Sequence, residues 1–173
     1  MKMRSVDEHR SQAPDTVSCM IVTVSDTRTP ETDAGGRLMK SLLEGAGYQV
    51  VRYEIVKDDY EGIRELIHEA AGNPEVEAVL LTGGTGISPR DTTYEAVSSL
   101  LDKRLPGFGE IFRYLSFTED IGPAAILSRA IAGTVGGTAV FSVPGSTGAV
   151  KLALERIIVP ELRHVMREIY KKN

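Results

Sequence analysis

From Val17 onward the chain alternates two textures: short runs of apolar and β-branched residues, and longer segments whose apolar residues recur every three or four positions. The first texture predicts strands at VSCMIVTV (17–24), YQVVRYEIV (48–56), VEAVLLT (76–82) and TAVFSV (138–143). Most of these runs are apolar throughout, the pattern of strands covered on both faces in a parallel sheet. The second texture predicts helices. Leu38, Met39, Leu42, Leu43 and Ala46 make one stripe, and Ile63, Leu66, Ile67 and Ala70 a second; two more follow at Ala96, Val97, Leu100 and Leu101 and at Phe108, Ile111, Phe112 and Leu115. The first two close on glycine signals, at Gly45 and Gly47 and at Gly72 before Pro74.

The late stretch ILSRAIAGTVGGTAVFSV (126–143) reads as two extended pieces around a Gly136-Gly137 turn, an antiparallel hairpin added to the sheet. The C-terminal stripe Val150, Ala153, Leu154, Ile157 and Ile158 resumes after Pro160 at Leu162, Val165, Met166 and Ile169, which predicts two helices separated at the proline. Strands alternating with helices in this way indicate an α/β fold: a three-layer, doubly wound, mostly parallel sheet.

Composition narrows the picture. With 173 residues, 42% of them hydrophobic, the chain is expected to form one domain over residues 17–173 behind a flexible polar tail at 1–16. A net charge of −4 with no basic block argues against a general nucleic-acid binder and leaves small anionic ligands as partners. The N-terminal MKMRSVDEHRSQAPDT holds no apolar signal core and no run approaches membrane-spanning length, so a cytoplasmic protein without membrane contact is expected. The single cysteine, Cys19, lies inside an apolar run and reads as a buried core thiol.

Candidate chemistry gathers where the predicted strands end. The segments that follow them are SDTRTPETDAGG, KDDYEG, TGGTGISPRD and PGSTG, all polar and three of them rich in glycine. In open parallel sheets ligands bind outside the carboxyl ends of the strands. Consecutive small residues there let backbone N–H groups converge on an anion, with no Cβ in the way. Gly83-Gly84-Thr85-Gly86 is neither a dinucleotide fingerprint nor a Walker A loop, since it has neither the glycine spacing nor the following Lys-Ser/Thr. A plain tight turn is its structural alternative.

Two aspartates stand in these exits. Thr92 and Glu95 have the spacing of a capping box with a helix starting at Thr93, which leaves Asp91 free to face the loops unless Asp91 is itself the cap. Asp58-Asp59-Tyr60-Glu61 also resembles a helix start, so Asp58 is either a capping residue or a ligand. Carboxylates on neighbouring exits can share Mg²⁺, which takes one or two of them together with phosphates and water. No acyl-transfer elbow is present, and His9, His68 and His164 have no metal-ligand spacing. Ser25, Ser88 and Ser146 read as loop hydrogen-bonders.

The run LTGGTGISPRDTTYEA, with VTVSDTR upstream and PGFGEIFRYLS, AAILSRAIAG and VPGSTGAVKLALE downstream, resembles the MoaB/MogA family of molybdopterin-binding proteins of molybdenum-cofactor biosynthesis. The similarity runs in order from Val17 to the C-terminus and is nearest the MoaB members. It implies a three-layer α/β domain that binds molybdopterin at the strand C-termini. Active members of that family use Mg²⁺ and ATP to place AMP on the terminal phosphate of molybdopterin, releasing pyrophosphate, before a separate protein inserts molybdate.

Carried over by position, Asp58 and Asp91 are the expected catalytic and Mg²⁺-binding residues. Ser25, Asp26, Gly83, Gly84, Thr85, Gly86, Arg90, Pro144, Gly145 and Ser146 are the expected substrate-binding residues, with Arg90 meeting phosphate or forming a simple ion pair. The chain departs from the family pattern at Thr92-Thr93-Tyr94, at Lys57 in place of a proline, and at Ser146-Thr147-Gly148, which keeps both carboxylates and alters the loops around them. The resemblance also implies homotrimers or homohexamers, and it includes members without activity, so a pterin-binding assembly protein is the alternative expectation.

Overall fold

The computed structural model describes residues 6–8, 11 and 13–172. Half of the expected N-terminal tail, His9 included, falls outside them. Six strands form one sheet in the order β2-β1-β3-β6-β5-β4, built from β1 (Ser18–Val24), β2 (Gln49–Val56), β3 (Ala78–Thr82), β4 (Lys103–Arg104), β5 (Ile131–Val135) and β6 (Thr138–Val143). β2, β1, β3 and β6 run parallel; β5 and β4 add an antiparallel extension at one side.

Successive side chains of a strand point to opposite faces, and the central strands bury both. Cys19, Ile21, Ala78, Leu80, Ala139, Phe141 and Val143 pack into one core, under α1 (Ala34–Gly45), α4 (Pro106–Glu119) and the C-terminal helices. Met20, Val22, Val24, Val79, Leu81 and Val140 pack into the other, under α2 (Tyr60–Ala71) and α3 (Thr93–Leu100). This two-sided burial is why the runs are apolar without alternation, and it gives the expected three layers. The Cys19 thiol is fully buried and its pKa is pushed up to about 12 by desolvation, so it is an inert core group.

Three features differ from the sequence reading. Pro160 does not separate two helices: α5 (Thr147–Ala153) passes through one π-helical turn at Leu154–Ile158 into α6 (Val159–Tyr170), where the proline sits in the first turn. A proline lacks only the N–H that the widened turn leaves unused, so the helix continues. Ile126 and Leu127 are not extended, because a 3-10 helix over Gly122–Leu127 takes them up; the chain turns extended at Ser128, and strand pairing starts at Ile131. Finally, β4 is a two-residue polar edge strand that no apolar run announced. The hairpin itself stands where it was expected, with Gly136 at positive φ in its turn.

Candidate functional site at the strand ends

The parallel strands end in register. Val24 lies opposite Val56, Thr23 opposite Thr82, and Thr82 opposite Val143. The sheet ladder continues one step into the loops, through Ser25 N–H to the Val56 carbonyl at 2.8 Å and Gly83 N–H to the Val143 carbonyl at 3.0 Å. Four polar exits therefore leave the sheet side by side, as the sequence predicted.

Asp58 occupies the deepest position. The cap of α2 is Asp59, whose carboxylate accepts the Gly62 N–H at 2.8 Å, and this frees Asp58 to cross to the neighbouring exit. Its Oδ1 accepts the Thr92 hydroxyl at 2.7 Å, the Thr92 N–H at 3.2 Å and the Thr93 hydroxyl at 3.4 Å. The residue is 9% exposed, so this carboxylate depends on those donors for its solvation. The expected Thr92–Glu95 capping box is absent: Thr92 stands at the N-cap of α3, but its side chain makes no cap bond and serves Asp58 instead.

The glycine loop is shaped around the two carboxylates. Gly83 and Gly84 hold φ of +103° and +68°, where a side chain is strained. A Cβ on Gly84 would stand 2.7 Å from Asp58 Oδ2, and one on Gly86 would stand 2.6 Å from Asp91 Oδ2. The bare backbone thus makes room first for the protein's own carboxylates. It also presents donors. The N–H groups of Gly84, Thr85, Gly86 and Ile87 find no acceptor among the described residues, although Thr85 is buried. Four consecutive unpaired amides form the kind of concavity that takes an anion.

Asp91 sits nearer the rim. It is not a helix cap; Oδ2 accepts the Ser88 N–H at 3.1 Å and closes the loop on itself. Arg90 forms the ion pair that was one of its two readings: Nε and Nη2 reach Asp26 Oδ2 at 2.8 and 2.6 Å, tying the third exit to the first. Asp26 also accepts the Asp58 N–H at 3.2 Å. The Arg90 guanidinium holds the Asp26 carboxyl below its ordinary range. Ser25 accepts the Thr27 and Arg28 N–H groups and turns the first exit. In the last exit, Thr82 donates to the Pro144 carbonyl at 3.0 Å, and Ser146 caps α5 through the Ala149 N–H at 3.2 Å. Gly145 lies against Gly83, which brings the two glycine loops together.

The donor set suits a hard divalent cation. Asp58 Oδ2 and Asp91 Oδ1 accept no hydrogen bond from any described residue. Yet the described residues contain no cluster of three or more metal-ligating side chains, so the protein alone does not enclose an ion. The two free oxygens could serve a cation such as Mg²⁺, which takes one or two carboxylates together with phosphate and water. An open cleft of about 550 Å³ runs past Tyr60, Ile87, Ser88, Asp91, Thr92 and Arg129. A larger one, about 640 Å³, lies between β4 and α6 at the far edge of the sheet and adjoins none of these exits.

One residue of this region was missed from the sequence. Arg129, in the segment read as extended, donates to the carbonyls of Thr85 and Gly86 and pairs with Glu95. Nothing in its local sequence marks it, because its partners lie more than forty positions upstream in the loop and thirty-four upstream on α3.

Residues 20–164 match the family model described as "Probable molybdopterin binding domain". Molybdenum cofactor biosynthesis protein B of Halalkalibacterium halodurans is 65% identical over 167 residues, covering 96% of this chain and 98% of that protein. A crystal structure of a molybdenum cofactor biosynthesis protein B is similar with a TM-score of 0.90 at 55% identity, covering 93% of this chain and all of the other. The tungsten cofactor synthesizing protein MoaB from Pyrococcus furiosus is similar with a TM-score of 0.82 at 38% identity, covering 92% of this chain and 100% of that one.

Proposed function

The chain belongs to the molybdopterin-binding family of molybdenum-cofactor biosynthesis, and from that premise we propose that it adenylylates molybdopterin, moving AMP from ATP to the terminal phosphate and releasing pyrophosphate. The observation that carries the reading is the juxtaposition of four loop amides with two carboxylates, where the amides find no acceptor and one oxygen of each carboxylate finds no donor among the described residues. Amides suit phosphate oxygens, and the free carboxylate oxygens suit Mg²⁺.

The chemistry asks little of the protein in proton transfer. A phosphate monoester has a second pKa of about 6 and is largely ionised at neutral pH, so the nucleophile needs no general base. The chain must instead align the monoester with the α-phosphorus and neutralise charge. In this reading Gly84, Thr85, Gly86 and Ile87 donate to a phosphate, Asp58 and Asp91 hold Mg²⁺, and Arg90 exchanges Asp26 for a ligand phosphate. Mg²⁺, when bound, draws charge off the triphosphate and the leaving pyrophosphate. Thr92 and Thr93 keep Asp58 oriented. Ser25, Pro144, Gly145 and Ser146 form the neighbouring walls of the ligand site.

The protein is further proposed to act in the cytoplasm as a homotrimer or homohexamer and to hand its product to a molybdate-inserting protein. Ile111, Tyr114, Phe117 and Ile126 are exposed on α4 and the 3-10 turn, a surface suited to contact between copies. No helix among the described residues is long and apolar enough to cross a membrane.

The test is transfer of label from α-labelled ATP to molybdopterin in the presence of Mg²⁺. Appearance of labelled, adenylylated molybdopterin supports the reading. Folded protein that binds molybdopterin but transfers no label is a pterin-binding assembly protein, and the enzyme reading falls. Elution as a monomer in size-exclusion chromatography would remove the oligomer proposal.

A further inference from the structure

Two carbonyls of the glycine loop are claimed by one side chain. Arg129 Nε donates to the Thr85 carbonyl at 3.4 Å and to the Gly86 carbonyl at 3.1 Å, and Nη2 donates to Gly86 as well. The guanidinium is itself held in place: Nη1 and Nη2 pair with the Glu95 carboxylate, and the group lies 4.8 Å from the centre of the Tyr94 ring. Glu95 is kept below the ordinary carboxylate range by this arginine, so the pair stays charged at neutral pH.

A trans peptide is planar, and its C=O points opposite to the N–H of the next residue. A Thr85 carbonyl drawn toward Arg129 therefore turns the Gly86 N–H away from it, and a Gly86 carbonyl drawn the same way turns the Ile87 N–H away. Those are two of the four amides that find no acceptor among the described residues. Gly86, which the two planes share, would otherwise let these peptides rotate.

We propose that Arg129 is a positioning residue for phosphate binding: it fixes two peptide planes of the glycine loop so that the Gly86 and Ile87 N–H groups face an anionic oxygen of the ligand. The inference rests on the phosphate-binding reading of the loop given above. A preset pair of donors needs no reorganisation when the anion arrives, which is where such donors gain their strength. The planar fork of arginine is required, since an ammonium is a point donor that cannot brace two carbonyls and a carboxylate in one plane. The functional class of the ligand is a phosphate or diphosphate group, and inorganic pyrophosphate is the simplest probe.

The experiment follows backbone amide resonances of the full chain during titration with pyrophosphate, for the wild type, Arg129→Lys and Glu95→Gln. The expected result is that pyrophosphate moves the Gly86 and Ile87 amides of the wild type. Arg129→Lys is then expected to bind about tenfold more weakly, the loss of roughly one hydrogen bond, with smaller movements at those two amides. Glu95→Gln, which leaves the guanidinium present but less anchored, should fall between the two. If both variants bind with wild-type affinity and wild-type amide movements, Arg129 supports only the fold and the inference is overturned while the phosphate reading stands. If Arg129→Lys does not fold, Glu95→Gln alone decides between those outcomes. A wild type whose loop amides ignore pyrophosphate overturns the inference and the phosphate reading together.

Discussion

Asp58 and Asp91 look alike in the sequence, each an aspartate just past a strand and just before a helix, but they stand in different physical settings. Asp58 is buried at the floor, with one oxygen accepting two hydroxyls and an amide from the adjacent exit. Asp91 is partly exposed at the rim and accepts one amide from its own loop. The floor residue therefore carries part of the structure of two loops, and the rim residue carries almost none. The difference teaches that shared chemistry need not mean shared structural duty. A carboxylate placed away from water needs its donors built in, whereas one that meets water does not.

The strongest way to break this contrast is to remove the charge while keeping the shape. Asp58→Asn and Asp91→Asn should each lower AMP transfer by about a hundredfold or more, the scale of losing one preorganised electrostatic contact in a transfer reaction. If only one of them matters, the two do not share an ion. Stability should separate them next. Asp58→Ala leaves the Thr92 and Thr93 hydroxyls without their acceptor and should cost about 1–3 kcal/mol in chemical denaturation. Asp91→Ala should stay within about 1 kcal/mol of wild type.

A third probe acts through the backbone. Gly84→Ala places a Cβ at positive φ and against Asp58 and Thr93, and should cost about 1–3 kcal/mol while disturbing the floor carboxylate. Gly107→Ala, at a helical position with open space beyond it and no positive φ, serves as the control and should not destabilise.

How much of this could be read from the chain depends on where each signal lives. The central strands were legible because burial on two faces leaves an uninterrupted apolar run, as at Met20 to Val22 and Val79 to Leu81. The strand-end position of Asp58 and Asp91 followed from that. Lys103 and Arg104 were not legible as a strand, since a two-residue edge pairing with Thr134 and Gly133 needs no side-chain pattern. Thr92 and Glu95 had the right spacing for a capping box, yet Asp58 and Arg129 arrive from elsewhere and compete for both side chains. Local spacing cannot reveal a partner supplied by the fold. Arg129 escaped notice for the same reason.

The smallest effect expected concerns the tie across the rim. Arg90 depresses the Asp26 pKa from its ordinary 3.8, so the ionised pair favours the folded state. The sign follows from linkage: the contribution is present above the unfolded pKa and is lost as pH falls through the lower folded value. Asp26→Asn should melt slightly below wild type at neutral pH, with the two converging in acid below about pH 4. High salt should shrink the gap further, because both groups meet solvent.

The most direct measurement of the central claim is label transfer from α-labelled ATP to molybdopterin as Mg²⁺ is titrated, with wild type, Asp58→Asn and Asp91→Asn compared at equal folded concentration. Transfer is expected to saturate with Mg²⁺ in the wild type and to be nearly abolished in both variants, although Asp91→Asn keeps wild-type stability. Transfer that is unchanged by Asp91→Asn, or that proceeds equally without Mg²⁺, would contradict a site built from floor and rim carboxylates together.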